Sequence, residues 1–333
     1  MTGAFDLLVI GDANPDVLVS GAPETPPAGQ AETLVDGGTL ALGGSAAIVA
    51  HGAARLGLST ALVALVGRDP AGDFVLDVLS AAGVEIRFCT RHESLPTALT
   101  VCLNRPDGDR AILTAPGCLA AFGPEHVPDV AARHVHAASY FLQPRLAAGL
   151  PELFAGAKVA GASTSLDTND DPAGEWRLAP GLLAGCDLLL PNEAEAGALA
   201  GALGARQTAP RGDPLADALA TLVAAGPTPV VKLGRRGAVA GTRSGAGMGT
   251  GASVVVMNAR GPEVEPVDTV GAGDSFDAGF LAGWLDSGDL AEGLALGCAC
   301  GALSTGAVGG TAAQPGRDEA ESLAARVRVT HGR

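Results

Sequence analysis

The strongest chemical signal in the chain is Asp268-Thr-Val-Gly271-Ala272-Gly273-Asp274-Ser275-Phe276-Asp277-Ala278-Gly279-Phe280. Three small residues ahead of a helical pattern leave backbone N–H groups uncovered, and the helix N-terminus adds partial positive charge. Such a turn suits an anion, and a phosphate group fits it. Asp274 follows in the first helical turn, where a carboxylate can face a phosphoryl group and take a proton from an attacking hydroxyl. Read alone, the segment is also an ordinary Gly-rich turn with an acidic helix start, so the rest of the chain has to decide.

Other segments add chemistry. Gly11-Asp12-Ala-Asn14-Pro-Asp16 ends an apolar run with carboxylates and an amide, the acceptors a polyhydroxyl ligand needs, although an Asx turn has the same composition. In Gly43-Gly44-Ser45-Ala46-Ala47, two glycines let backbone approach a ligand, and the small residues that follow suit a helix close to a sheet. Pro191-Asn192-Glu193-Ala194-Glu195 offers oxygen ligands of the kind Mg²⁺ prefers, and equally an acid-rich helix start. Val230-Val-Lys232-Leu-Gly234-Arg-Arg-Gly237 closes a strand with one of the chain's two lysines and a Gly-bracketed turn. The six histidines show no ligand spacing with cysteine, so no transition-metal site is expected.

These segments need a scaffold that gathers them. Phe5–Gly11 is an apolar run closed by glycine, the pattern of a strand buried on both faces of a parallel sheet. Residues 14–42 hold the Pro/Gly-rich stretch Gly21–Gly29 between pairable strands, an antiparallel excursion that makes a small lid. From Gly43, helix and strand patterns alternate: Ser45–Leu56, Thr60–Val66, Ala71–Ala82, Val84–Cys89. Residues 97–104 and 110–115, parted by Pro106-Asp-Gly-Asp109, read as a hairpin completing the lid. Later strands are expected at Val135–Tyr140, Ser163–Asp167, Leu188–Leu190, Val230–Leu233 and Ala238–Thr242, with Gly241–Ser253 as a hairpin turn. The class is α/β with a mostly parallel sheet.

Composition bounds the function. The chain has 333 residues, room for one large α/β domain with an appendage. Aromatics are only 3% against 48 glycines, so the core is expected to be Ala, Val and Leu with closely approaching backbones. A net charge of -15 argues against a broad basic surface for nucleic acid or anionic membrane. Six cysteines without a CxxC pair read as reduced thiols. No apolar run reaches a membrane span, and a cytoplasmic protein is expected.

The Asp268–Phe276 stretch resembles the C-terminal signature of the ribokinase, or PfkB, family, Asp-Thr-x-Gly-Ala-Gly-Asp-x-Phe, through every one of those residues. Gly43-Gly44, continuing through Ala50, Ala53, Arg55, Leu56 and Gly57, resembles its N-terminal signature. The likeness covers essentially the whole chain. It implies one ribokinase-like domain over residues 1–333, a helix-flanked sheet with a β-lid from about 12–42 and 95–116, and ATP-dependent phosphorylation of a sugar-like alcohol with Mg²⁺. Asp274 would be the base, with Gly271, Ala272 and Gly273 N–H groups on the developing charge. Asn14, Asp16, Gly43, Gly44 and Ser45 would hold the acceptor. Asn192 and Glu195 would place Mg²⁺ through water, and Lys232, Gly234 and Cys298 would line ATP. Asp268 and Val270, with the loop Ser304–Thr311, would hold a monovalent cation such as K⁺, and a homodimer would form through the lid.

Three positions depart from the family pattern: Ile48 stands where an Asn helps hold the sugar, Ala98 where Gly is common, and Cys298 where Asn is frequent. They leave the acceptor open. A nucleoside kinase on the same fold and a non-catalytic sugar or nucleotide sensor are the alternatives. Arg145 is a further candidate for capping the acceptor. A dinucleotide-dependent dehydrogenase is excluded because no GxGxxG follows the first strand, and a P-loop kinase because neither lysine stands in GxxxxGK[ST].

Overall fold

The computed structural model describes residues 5–107, 109–204, 213–243 and 254–332. The N-terminal half begins with β1 (Phe5–Ile10), β2 (Asn14–Ser20), β3 (Gly37–Gly43), α1 (Ser45–Arg55), β4 (Thr60–Val63), β5 (Leu65–Gly67) and α2 (Pro70–Ala81). It continues with β6 (Thr90–His92), β7 (Leu99–Asn104), β8 (Arg110–Ala115), β9 (Ala132–Ala137), α3 (Pro144–Val159) and β10 (Ser163–Leu166). Next come α4 (Leu182–Gly185), β11 (Leu188–Leu189), α5 (Glu193–Ala202), α6 (Pro214–Ala225), β12 (Thr228–Lys232), β13 (Ala238–Arg243) and β14 (Val254–Arg260). The chain closes with α7 (Ala272–Ser287), α8 (Leu290–Ser304), α9 (Arg317–Ala324) and β15 (Arg328–Gly332).

Among the described residues the main sheet runs β15-β14-β13-β12-β11-β10-β9-β1-β4. Strands β4 through β12 in that order are parallel, and β13, β14 and β15 add an antiparallel flank. β1 is buried on both faces from Leu7 to Ile10, as that apolar run requires. One core lies between the sheet and α1, α2, α7, α8 and α9, the other between it and α3 to α6. The lid is a separate four-stranded sheet, β3-β2-β7-β8. No described helix is long and apolar enough to cross a membrane.

Local chemistry sets the element ends. Asp69 accepts a hydrogen bond from the Gly72 amide at 2.9 Å with Pro70 next to it, and Asp289 accepts from the Ala291 amide at 2.8 Å. The glycines serve packing more than turns. A Cβ on Gly279 would lie 2.7 Å from the Leu296 carbonyl, and one on Gly297 would lie 3.0 Å from that of Phe276, so α7 and α8 meet backbone to backbone. Buried Gln314 fastens α1 to α7: its amide nitrogen donates to the Ile48 carbonyl (3.1 Å) and Ser275 Oγ (2.9 Å), while its Oε1 meets His51 Nδ1 (2.6 Å).

Several sequence expectations shift. Val84–Cys89 is not a strand: only Glu85 bridges β4, exchanging bonds with Thr60 (2.9 Å) and Leu62 (3.1 Å), before Cys89 turns back to the Ile86 carbonyl (2.9 Å). The run Thr60–Val66 breaks at Ala64 into β4 and β5, and β5 pairs with β6 in a small sheet of its own. β9 lies earlier than expected, since Ser139 takes φ 56° and Tyr140–Leu142 form a 3₁₀ turn. The hairpin turn assigned to Gly241–Ser253 lies outside the described residues from 244 on, but the strands flanking it, β13 and β14, pair antiparallel.

Candidate active site

Asp167, just past the carboxyl end of β10, and Lys232, at that of β12, meet the start of α7, in the kind of location where open α/β sheets gather ligands. Asp12, just past β1, is buried and accepts the amides of Ser45 (3.2 Å) and Ala46 (3.0 Å). It therefore caps α1 from another element, because Gly44 has no side chain to do so. Asp16 lies on the lid strand β2, where Asn14 Nδ2 donates to its carboxylate at 3.0 Å and to Thr100 Oγ1 at 3.3 Å.

The Gly43-Gly44 pair is explained by these acids. A Cβ on Gly43 would lie 2.0 Å from an Asp16 carboxylate oxygen, and Gly44, with φ +83°, passes close to the Asp12 carbonyl. Glycine here makes room for protein carboxylates. Ser45 Oγ accepts from Asn169 Nδ2 at 2.8 Å, and the Asn169 side-chain Oδ1 accepts the Ser139 amide at 2.8 Å. Asn169 and Ser139 both have positive φ, 54° and 56°, a costly conformation concentrated where surroundings over-determine the backbone.

At α7, Gly271 takes φ 70°, and a Cβ there would strike Gly310 at 2.5 Å. The Ala272 amide turns back to the Thr269 carbonyl (3.3 Å), and the Ser275 amide starts the helical ladder on Gly271 (2.8 Å). Among the described residues, the N–H groups of Gly271, Gly273 and Asp274 keep no protein partner. Of the three expected donors, Ala272 is the one whose amide has a protein partner, and the Asp274 amide is a further free N–H beside Gly271 and Gly273.

Asp274 is 9% exposed. Burial, then the Asp167 carboxylate, pushes it up to about 6, against the pull of Lys232 and a hydrogen bond from Ser45. Burial, then Asp12 and Asp274, pushes Asp16 up to about 7. A hydroxyl seated between these acids meets an acceptor for hydrogen bonds and a base poised near neutral pH.

Asn192 and Glu195 form a capping box at α5: the Asn192 side chain accepts the Glu195 amide (3.0 Å), and Glu195 accepts the Asn192 amide (2.8 Å) and Nδ2 (2.6 Å). Burial, then Asp167, raises Glu195 to about 7. A buried carboxylate with spare lone pairs suits a hard divalent cation held through water, whose charge would offset the burial that raises Glu195.

The other sequence candidates make the following contacts. Asp268 accepts the Val270 amide (3.0 Å) and the Gly309 amide (2.9 Å), tying the 304–311 loop to the α7 turn. Gly234 opens a 3₁₀ turn at φ +58°. Cys298 is 5% exposed within the α7–α8 core, its thiol pushed up to about 12 by burial. Ile48 is buried against Gly310. Arg145 is not brought to the cluster: it donates to the Ala121 carbonyl (2.8 Å) and pairs with Glu125 (2.7 Å).

The Lys232 ammonium at the end of β12 is held between Asp167 (2.6 Å) and Asp277 (3.0 Å). Sequence reasoning missed Asp167, Asn169, Asp277 and Ser139 as site residues. Their signal was positional: Asp167 ends an expected strand, Ser139 stands one residue before the end of another, Asn169 lies two residues past the first, and Asp277 lies one helical turn beyond Asp274.

The description "pfkB family carbohydrate kinase" belongs to the family whose profile matches residues 4–317. The ATP-dependent ribose-1-phosphate kinase of Halopiger xanaduensis is 33% identical over 278 residues, 81% of this chain and 82% of that one. The fructokinase of Klebsiella pneumoniae is 31% identical over 296 residues, 83% of this chain and 90% of its own. In three dimensions the chain is similar to Arabidopsis thaliana ribokinase solved with ribose and ATP, with a TM-score of 0.81 at 24% identity, covering 97% of this chain and 99% of that one. The chain belongs to the PfkB family of carbohydrate kinases. It is an ATP-dependent phosphotransferase with an alcohol group as acceptor, on a ribokinase fold.

Proposed function

We propose that the acceptor hydroxyl, a primary alcohol of a sugar or sugar-like molecule, binds between Asp16 and Asp274 and that Asp274 is its general base. The observation that carries this is a buried carboxylate, raised to about 6, in the first turn of a helix whose leading amides are free. Asp274 takes the hydroxyl proton as the oxygen attacks the γ-phosphoryl group. The Gly271, Gly273 and Asp274 amides and the α7 N-terminus stabilise charge on the phosphoryl oxygens. Asn14, Asp16 and Ser45 orient the acceptor, and the β2–β3–β7–β8 lid excludes water from it.

Asn192 and Glu195 would hold Mg²⁺ through water, and the ion would neutralise the phosphates. Gly234 and Cys298 of α8 remain the reading for the nucleotide side, and the loops 268–270 and 304–311 that for a monovalent cation. Removing K⁺ from the assay without loss of rate would dismiss the cation. Six free cysteines and an ATP substrate fit the cytoplasm.

The test is ADP release from Mg²⁺-ATP across sugars, sugar acids, sugar phosphates and nucleosides. One acceptor class should raise turnover well above the acceptor-free rate. A nucleoside hit would replace the sugar reading, and no acceptor-dependent release from any class would overturn the proposed chemistry.

A further inference from the structure

We propose that Lys232 is a positioning residue, an internal cation fixed beneath the phosphate-binding turn that holds α7 and its base in place and does not bind the nucleotide. This rests on the kinase reading above and changes the part that Lys232 plays in it.

An ammonium has three donors. Lys232 Nζ lies 2.6 Å from Asp167 Oδ2, and 3.2 and 3.0 Å from Asp277 Oδ1 and Oδ2, so its donors are already occupied by protein. Its side chain is 11% exposed, and those of Asp167 and Asp277 are 2% and 0%. The ammonium sits directly under the turn, since a Cβ on Gly273 would lie 3.6 Å from it. Through Asp277 it grips the second turn of α7, and through Asp167 it fastens that helix to the end of β10.

The same cation balances a crowd of acids. Carboxylate oxygens of Asp167, Asp274 and Asp277 lie within 4.8 Å of one another. Asp12 and Asp16 face Asp274 from the β1–β2 side, Glu195 from α5, and Ser45 donates from α1. His136 on β9 also faces the clamp, but burial pushes it down to about 4, so it brings no charge at neutral pH. Burial alone would raise Asp167, but the Lys232 ammonium more than offsets it; burial drives Asp277 well above the usual carboxylate range in spite of Lys232. Lys232 and Asp167 form the tightest ion pair of the clamp, 2.6 Å apart, with Asp277 at 3.0 Å on the other side of the ammonium. Without the ammonium, the Asp167 charge acts on Asp274 unopposed.

The experiment compares the native chain with Lys232→Met and Lys232→Met/Asp167→Asn. It reads kcat, the acid limb of kcat/KM, and ADP affinity by calorimetry. A carboxylate that loses a nearby cation binds its proton more tightly, so the limb of Lys232→Met should move up by about one pH unit, a tenfold loss on the acid side. Its kcat should fall about 10–100-fold, the cost of a displaced catalytic group, while ADP affinity stays within about threefold, under 1 kcal/mol. The double variant removes one charge of each sign, so its limb should return toward the native position while kcat stays low. If the single variant does not fold, the double variant carries the test, and native kcat there overturns the proposal. ADP affinity falling in step with kcat, or an unmoved acid limb, overturns it too. A native chain without ATP turnover would instead sink the kinase reading on which it rests.

Discussion

At the scale of single residues, the site is a set of carboxylates held closer together than water would allow, and its pH behaviour follows. Asp274 must be ionised to act as a base, and its pKa is raised to about 6, so kcat/KM should fall as pH drops through 6. A pH–rate profile checks this; a flat profile down to pH 4.5 would mean an unperturbed carboxylate or a different base. Gly43 is the residue where packing and binding coincide. Gly43→Ala would drive a Cβ into the Asp16 carboxylate, 2.0 Å from its oxygen. The expected result is an acceptor KM raised about tenfold or more, the cost of a displaced ligand-orienting group, with ADP affinity preserved. Steady-state kinetics against a calorimetric ADP titration separates the two.

At the scale of elements, the catalytic turn is placed by what α7 packs against. α7 meets α8 through glycines and meets α1 through the three side-chain bonds of Gln314, so α1, which carries Ser45, and α7, which carries Asp274, move as one unit. Gln314→Ala strands buried polar partners and should cost about 1–3 kcal/mol of stability. Denaturant unfolding reads that directly; a change under 0.5 kcal/mol would mean that glycine packing alone holds the pair. The sequence exposed these elements unevenly. The α7 turn and the Gly-Gly helix were legible because glycine, small residues and a following helical pattern coincide in a few positions. The clamp was not, because Asp167, Lys232 and Asp277 lie on three elements and meet only when β10, β12 and α7 are packed. Val84–Cys89 misled because four apolar positions in six satisfy a strand pattern whether or not a partner strand is present.

At the scale of the whole molecule, the lid separates two environments. One face carries Asp16, Thr100 and Thr114 toward the site, with Thr100 Oγ1 and Thr114 Oγ1 3.3 Å apart. On the other, Leu40, Val17, Val101 and Leu113 stand in register across all four strands, with Leu40 52% and Leu113 60% exposed. An apolar row of this kind on a sheet face marks an interaction surface, and we propose that it pairs two lids in a homodimer. Light scattering should give twice the chain's 32.7 kDa, and Leu113→Asp should shift it toward the monomer. A monomeric native mass would contradict the pairing. The parallel sheet and the lid were legible from the alternation of patterns; the lid's outer row was not, because it depends on strand register across segments far apart in sequence.

The central claim is that Asp274 is the base, and single-turnover phosphoryl transfer to the acceptor identified by ADP release tests it most directly. With saturating Mg²⁺-ATP at pH 8, where Asp274 is ionised, Asp274→Asn should slow transfer about 10²–10⁴-fold, the range of general-base catalysis, while ADP binds as in the native chain. Equal transfer rates in the two proteins would contradict the account.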